Sequence, residues 1–387
     1  MYSAKVSFIL GVMVLTGAAR TVTAKLFYQL GFDHPLFLTI LYLTGQAMSL
    51  IPYNILLKLK YNGYQLIWEE SSFFPRFPKR VADEDEEARR KNNPSESTHG
   101  LPLHSRTQHH HGKIPWCLKP AIPAFFNLLN SAMRWASLVF VAASVAEMLI
   151  SGMELVLSVC ATRVIRGRNI TSIRWLGVII VTAGIILVGI FDTNNVAHDL
   201  AEEENSSGEA VNRQVIGILL ILGQSVMSVF QDLTEEVFMQ EAEFPPMLLV
   251  GMEGAYGIII ALILYFPIAP LLGEIPSDVA KSFQGNVIVL SIGWTLLVCV
   301  TGIFNIAATA VTSSMTRNVW KNMRTLLVWI MGLILFYSTG SSDLGESFDI
   351  PGSLLILLGY AVMCLGIFVY YGKGARATEE AATSSDA

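Results

Sequence analysis

Apolar runs of about 17–25 residues, the length a helix needs to cross a bilayer, recur along this chain near 6–29, 35–57, 120–142, 144–164, 173–191, 214–238, 246–270, 286–311, 315–337 and 351–371. Ten such segments leave little sequence for anything else. Charged residues make up 15% of the chain and apolar residues 52%, whereas an ordinary globular domain carries about 25% charged residues. With a mean hydropathy of +0.51, the chain is predicted to be an all-α membrane protein of ten transmembrane helices. The third and fourth spans are separated by so few residues that they also read as one. The first run is long, carries Arg20 and Lys25, and lacks a small-residue cleavage site. It is therefore read as a retained helix and not as a signal peptide. Cys117, Cys160, Cys299 and Cys364 are scattered without paired spacing, so neither a disulfide framework nor a metal site is expected.

Lys and Arg distribution orients the spans. Basic residues crowd the segment after the second span, the turn after the fourth (Arg163, Arg166, Arg168, Arg174) and the stretch after the tenth (Lys373, Arg376). The opposite face has only Arg213 and Lys281, and its loops are acidic, as in DTNNVAHDLAEEENSSGEAVN. The positive-inside rule then puts both termini in the cytoplasm. A glycosylation sequon at Asn205 falls on the opposite face, and one at Asn169 on the cytoplasmic face. The net charge of -5 comes mostly from loops, and no nucleic-acid partner is expected. The stretch at about 60–116 is polar and charged and is expected to be disordered. Its His109 to His111 run has no supporting Cys/His spacing, so solvated low complexity is preferred over metal binding.

The acidic segment divides the chain into a first five-helix repeat at 1–192, a linker at 193–213, a second five-helix repeat at 214–371 and a cytoplasmic tail at 372–387. Glycines seven apart occur in both the fifth span (Gly177, Gly184) and the tenth (Gly352, Gly359), and Ser144 and Met153 align with Ser314 and Met323. An odd number of spans per half makes the second half enter from the other side, which predicts an inverted repeat.

Polar stripes mark the interior. Arg317, Lys321 and Arg324 are spaced i, i+4, i+7 and share one helical face. A cation at the centre of a span costs roughly 2.5–3.5 kcal/mol to insert, so Arg324, about two turns inside, needs a protein partner, water or an anion. Glu147, Ser151 and Glu154 repeat the spacing on the fourth span. Under the alignment of halves, Glu147 is expected opposite Arg317 and Glu154 opposite Arg324. The third span adds Asn127, Asn130, Ser131 and Arg134, and the eighth adds Thr301, Asn305, Thr309 and Thr312. Stripes from four helices predict a shared wet cavity, although ion pairs and interhelical hydrogen bonds are also met as structural glue. Lys25 and Glu253 are further candidates, whereas Asp232, Glu235 and Glu236 near a span end are expected to be solvated. All seven histidines lie outside the spans, and no nucleophile with a neighbouring base or phosphate loop is evident. A transporter is therefore favoured over an enzyme, and no cofactor or metal is expected.

These same residues carry a resemblance. GVMVLTGAARTVTAK, from Gly11 to Lys25, resembles a G-x-M-x-x-T-G-x-x-x-T-x-x-A-K pattern of the drug/metabolite transporter superfamily, and more closely of the nucleotide-sugar-transporter-like F group of solute carrier family thirty-five. HP at His34, QDLTEE with Glu235 and Glu236, GMEGAYG with Glu253, FNIA with Asn305, and TRNVWKNMRTLLVW with Arg317 and Arg324 are similar to that group as well. The resemblance implies ten helices in two inverted halves, a central cavity between the third, fourth, eighth and ninth spans, and residence in an endomembrane. It departs from the group at Ser151-Gly152, where many relatives have a basic residue before the glycine, and Arg134, Glu147 and Glu154 lie outside the pattern.

The function expected is secondary-active transport of a small anionic organic solute by alternating access, with proton or counter-substrate coupling. A cationic amine held by Glu147 and Glu154 is the alternative within transport, and a membrane scaffold or signalling protein is the rival from another class. The bilayer is one partner. Gly352, Gly359 and Gly366 form a small-residue seam that packs either internally or in a homodimer.

Overall fold

A computed structural model describes residues 4–61, 118–141, 143–165, 171–201, 207–241, 244–270, 273–311, 314–339, 348 and 352–372. The His109 to His111 run, Cys117, Asn205, the sequon Asn169 and the chain beyond 372 lie outside them. The described residues form twelve helices: α1 (Ala4–Gln29), α2 (Pro35–Ala47), α3 (Leu50–Tyr61), α4 (Ala121–Phe140), α5 (Ala143–Ile165), α6 (Ser172–Ala201), α7 (Ser207–Glu241), α8 (Pro246–Ile268), α9 (Pro276–Ser282), α10 (Asn286–Val311), α11 (Ser314–Thr339) and α12 (Gly352–Tyr371). No strand occurs among the described residues. In hydrocarbon a helix satisfies its own backbone polar groups, and runs this apolar have no cheaper choice.

Among the described residues, seven segments are long and apolar enough to cross a bilayer on their own composition: Val6–Gln29, Pro35–Leu59, Val145–Ile165, Val215–Met239, Pro246–Ile268, Asn286–Val311 and Ser353–Tyr370. The remaining three predicted spans form helices too: α4 and α11 carry the polar stripes, and α6 includes a shorter apolar run at Ser172–Leu187 among the described residues. The segment predicted as a linker at 193–213 is helical over its described residues, which extends α6 and starts α7 early.

Local chemistry explains several boundaries. Pro52 has no N–H and its ring opposes the carbonyl four residues back, and the second span accordingly breaks at Met48–Ser49 into α2 and α3. Proline opens α2, α8 and α9, where its missing N–H costs nothing. The first turn of α2 is closed by a distant residue: the backbone N–H groups of Leu36 and Phe37 donate to Glu274 at 3.0 and 2.9 Å. Tyr265 also donates to this carboxylate, at 3.0 Å, so α2, α8 and the α8–α9 turn are tied at one point.

Exposure is inverted relative to a water-soluble protein. Phe368, Val289, Ile263 and Phe266 face outward, while Arg317, Glu147, Glu154 and Glu253 are buried. Bilayer lipid, not water, suits such an exterior. Packing pairs α2 with α8, α5 with α11 and α6 with α12; α4 on α7 is matched by α1 on α10, α5 on α7 by α1 on α11, and α4 on α8 by α2 on α10. Each of these contacts has a counterpart when α1, α2, α4, α5 and α6 are exchanged for α7, α8, α10, α11 and α12, whereas among the described residues the packing of α5 on α6 is not matched between α11 and α12. The glycine seam lies inside the molecule: a Cβ on Gly366 would stand 2.8 Å from the carbonyl oxygen of Gly177, and one on Gly184 would stand 2.9 Å from that of Gly359.

Candidate functional site

The site begins with helical spacing. On α4, Asn127, Ser131 and Arg134 share one buried face; on α5, Glu147, Ser151, Glu154 and Ser158 share another, and α11 supplies Arg317, Lys321 and Arg324. Residues of the α5 and α11 faces meet in reverse order. Arg324 donates to Glu147 from Nη2 at 2.6 Å and from Nε at 3.1 Å, Lys321 donates to Glu154 at 3.1 Å, and Asn318 donates to Ser158 at 3.2 Å. Numbers rise along α5 as they fall along α11, so the helices cross antiparallel.

This corrects the expected pairing of Glu147 with Arg317 and of Glu154 with Arg324. Positions that align between halves are not contact partners: an exchange of antiparallel helices sends them to opposite ends of the crossing. Ser151 and Thr325 sit near its middle, with hydroxyl oxygens 3.2 Å apart.

Glu147 accepts hydrogen bonds from three elements: Arg324 of α11, Arg134 of α4, and Thr21 of α1 at 2.7 Å. Gly17 makes this possible, because a Cβ there would lie 2.7 Å from Cδ of Arg324. Glu154 accepts from Ser228 at 2.7 Å, from Gln224 at 3.1 Å and from Lys321. Arg317 is fully buried between Asp232 and Glu235, donating to Glu235 at 3.2 Å. Asp232, Glu235 and Glu236 are all buried, contrary to the expectation that they are solvated. Desolvating an ion costs several kcal/mol unless it is paired and hydrogen-bonded, and this network supplies those partners.

An amide chain links the ion pairs. Gln224 donates to Asn130 at 2.8 Å, Asn130 to Gln231 at 3.0 Å, and Gln231 to Glu235 at 2.6 Å. Asn127 donates to Gln46 at 2.6 Å, and Gln46 to the Tyr42 hydroxyl at 3.1 Å.

A cavity of about 60 Å3 opens among these groups, room for a few waters. Of the residues on the predicted polar stripes, Asn130, Ser131, Arg134, Glu154, Thr301, Asn305, Lys321 and Arg324 line it. Glu147, Ser151 and Arg317 stand behind the wall in the network just described. Asn127 is buried against Gln46, and Lys25 donates to the Leu138 carbonyl at 2.8 Å. Glu253 is fully buried, behind the lining. The lining also draws on α1, α2, α7 and α8, beyond the four spans expected to enclose it.

Sequence reasoning passed over Arg20, Tyr42, Gln46, Ser228 and Gln231, all of which line the cavity. The α7 set was there to be found: Gln224, Ser228, Gln231 and Glu235 fall at i, i+4, i+7 and i+11, a polar stripe as regular as that of α11.

The UAA transporter family model matches residues 97–362, well over half of the chain. Human "Solute carrier family 35 member F6" is 26% identical over 270 residues, 65% of this chain and 65% of that protein. The rat protein of the same name is 25% identical over 253 residues, 62% of this chain and 64% of that protein. An uncharacterised protein of Schizosaccharomyces pombe is 25% identical over 263 residues, 65% of this chain and 73% of that protein. The match thus spans just under two thirds of the length of the mammalian relatives.

Proposed function

Because this chain belongs to the UAA transporter family, we propose that it is a secondary-active carrier that moves a small anionic organic solute by alternating access. The family and the apolar helices support a multi-pass membrane protein that moves a solute. The transport activity, the solute's charge and the mechanism are the proposal.

One observation carries it: at the cavity, carboxylates of the protein itself occupy the cations. Glu147 sits on Arg134 and Arg324, and Glu154 on Lys321. A solute carboxylate or phosphate offers the same cations the same charge-assisted hydrogen bonds, so exchange replaces one set of ion pairs with another and avoids stripping buried charges bare. A pocket for an organic ligand is typically about 300–1,000 Å3. The present space, about 60 Å3, therefore belongs to a contracted state that has to widen for loading. The paired contacts of the two halves support an inverted repeat of ten crossings, with the rocking helices meeting at the cavity. The basic-residue bias supports cytoplasmic termini, and the resemblance to nucleotide-sugar-transporter-like carriers supports an endomembrane.

The decisive variant is Arg324→Leu. In proteoliposomes it is expected to lose solute uptake at least tenfold while still inserting into the membrane, and full uptake by that variant refutes the assignment. If wild type accumulates amines and not anions, Glu147 and Glu154 are instead the substrate ligands.

A further inference from the structure

Arg20 projects from α1 one residue before Thr21. Its guanidinium carbon lies 5.4 Å from the centroid of the Tyr42 ring and 5.6 Å from that of Trp135. Trp135 in turn meets Trp294 edge-on at 5.3 Å, and the Trp294 indole N–H donates to the Arg20 backbone carbonyl at 3.0 Å. Both ends of Arg20 are thereby fixed to one aromatic wall. The residue is 8% exposed, and its Nε has no hydrogen-bond partner.

Among the described residues, the other three cavity-lining cations each hold a carboxylate, Arg134 and Arg324 on Glu147 and Lys321 on Glu154. Arg20 holds none; Arg134 and Arg324 lie within its electrostatic reach with Glu147, so three guanidiniums face one carboxylate. Stacking on π faces attracts a cation without occupying its in-plane N–H groups, and a planar guanidinium presents those donors as a fork that fits two oxygens of one anion.

We propose that Arg20, presented by the Tyr42–Trp135 platform, is the first contact for the anionic group of the solute, a phosphate or carboxylate. The assignment rests on the anionic-solute reading above and adds a residue to it. Since Arg20 is the one lining cation free of a carboxylate among the described residues, a guest engages it without first breaking an internal ion pair. Gln46 steadies the platform through the Tyr42 hydroxyl.

The test uses the purified full chain in detergent. Tryptophan emission, sensitive to the Arg20–Trp135 stack, is titrated with sodium phosphate and separately with sodium acetate, at ionic strength held constant with chloride. Tetraethylammonium chloride serves as the cationic probe. Wild type is expected to respond saturably to phosphate or acetate, and the stronger response identifies the anionic group. Arg20→Gln weakens that response at least tenfold; Arg20→Lys, which keeps the charge and loses the fork, falls between; Lys281→Gln, remote and exposed, matches wild type. Equal affinity in wild type and folded Arg20→Gln overturns the role of Arg20 and leaves the anionic reading standing. Should Arg20→Gln fail to fold, Arg20→Lys and Tyr42→Leu decide, and unchanged affinity in both overturns the proposal. A wild type that does not respond saturably to either anion overturns both the Arg20 site and the anionic reading, and a saturable response to tetraethylammonium in its place points to an amine carrier.

Discussion

At the scale of single residues, Glu147 is the junction of the site. It is buried, and its two oxygens are shared among Arg134, Arg324 and Thr21. Removing one partner of a buried ion pair costs about 3–5 kcal/mol, because the other charge is left uncompensated. Glu147→Gln strands two guanidiniums at once, so it is expected to lower the melting temperature in detergent by many degrees. Lys281→Gln, which breaks the exposed pair of Lys281 with Asp278, is worth less than about 1 kcal/mol and should leave the melt in place; equal melts for the two variants would show that Glu147 is not a structural junction. The ionisable residues themselves were legible in the sequence, since a buried charge on an apolar helix is costly enough to demand a reason. Their partners were not. Pairing depends on where two helices cross, and a shift of about two turns hands Arg324 from Glu154 to Glu147. Arg20 escaped notice for another reason: its partners are aromatic rings from α2 and α4, which carry no charge for a polar-residue search to find.

At the scale of elements, close approach decides which helices sit side by side. α6 and α12 meet through backbone, and a Cβ on Gly366 would fall 2.7 Å from both the Val181 backbone nitrogen and a Val181 methyl. Overpacking a dense contact costs typically about 1–3 kcal/mol, and here backbone has to move. Gly366→Val is therefore expected to lower the yield of monodisperse protein on size exclusion and to destabilise the fold by at least that amount. Gly293→Ala, with nothing within 4 Å of its new carbon, should match wild type, and a normal melt for Gly366→Val would mean that the seam tolerates separation. The seven-residue glycine spacing announced a seam in the sequence, but an internal partner and a second protomer look alike from one strand of text. The break in the second span was equally legible in principle, through Pro52. What hydropathy alone under-reads are α4 and α11, because the residues that make them useful also make them polar.

At the scale of the whole molecule, the packed helices enclose a small polar space. If transport widens that space by rocking one half against the other, α5 and α11 are where the halves have to part, since they cross at its wall and pair across it. Their midpoint is marked by Ser151 and Thr325, with oxygens 3.2 Å apart, so cysteines in their place are close enough for a bridge. A chain with its four native cysteines (Cys117, Cys160, Cys299 and Cys364) replaced by serine or alanine, and carrying Ser151→Cys and Thr325→Cys, can be oxidised in proteoliposomes. Uptake is expected to fall at least tenfold on oxidation and to recover with reductant, whereas either single cysteine responds to neither reagent. A bridged protein that still transports at the wild-type rate would mean that α5 and α11 travel as one body and that the cavity opens elsewhere, between α1 and α10 or between α4 and α7. Either outcome assigns the moving interface, because those two contacts are exchanged by the same pairing of halves and would have to open together or alternately.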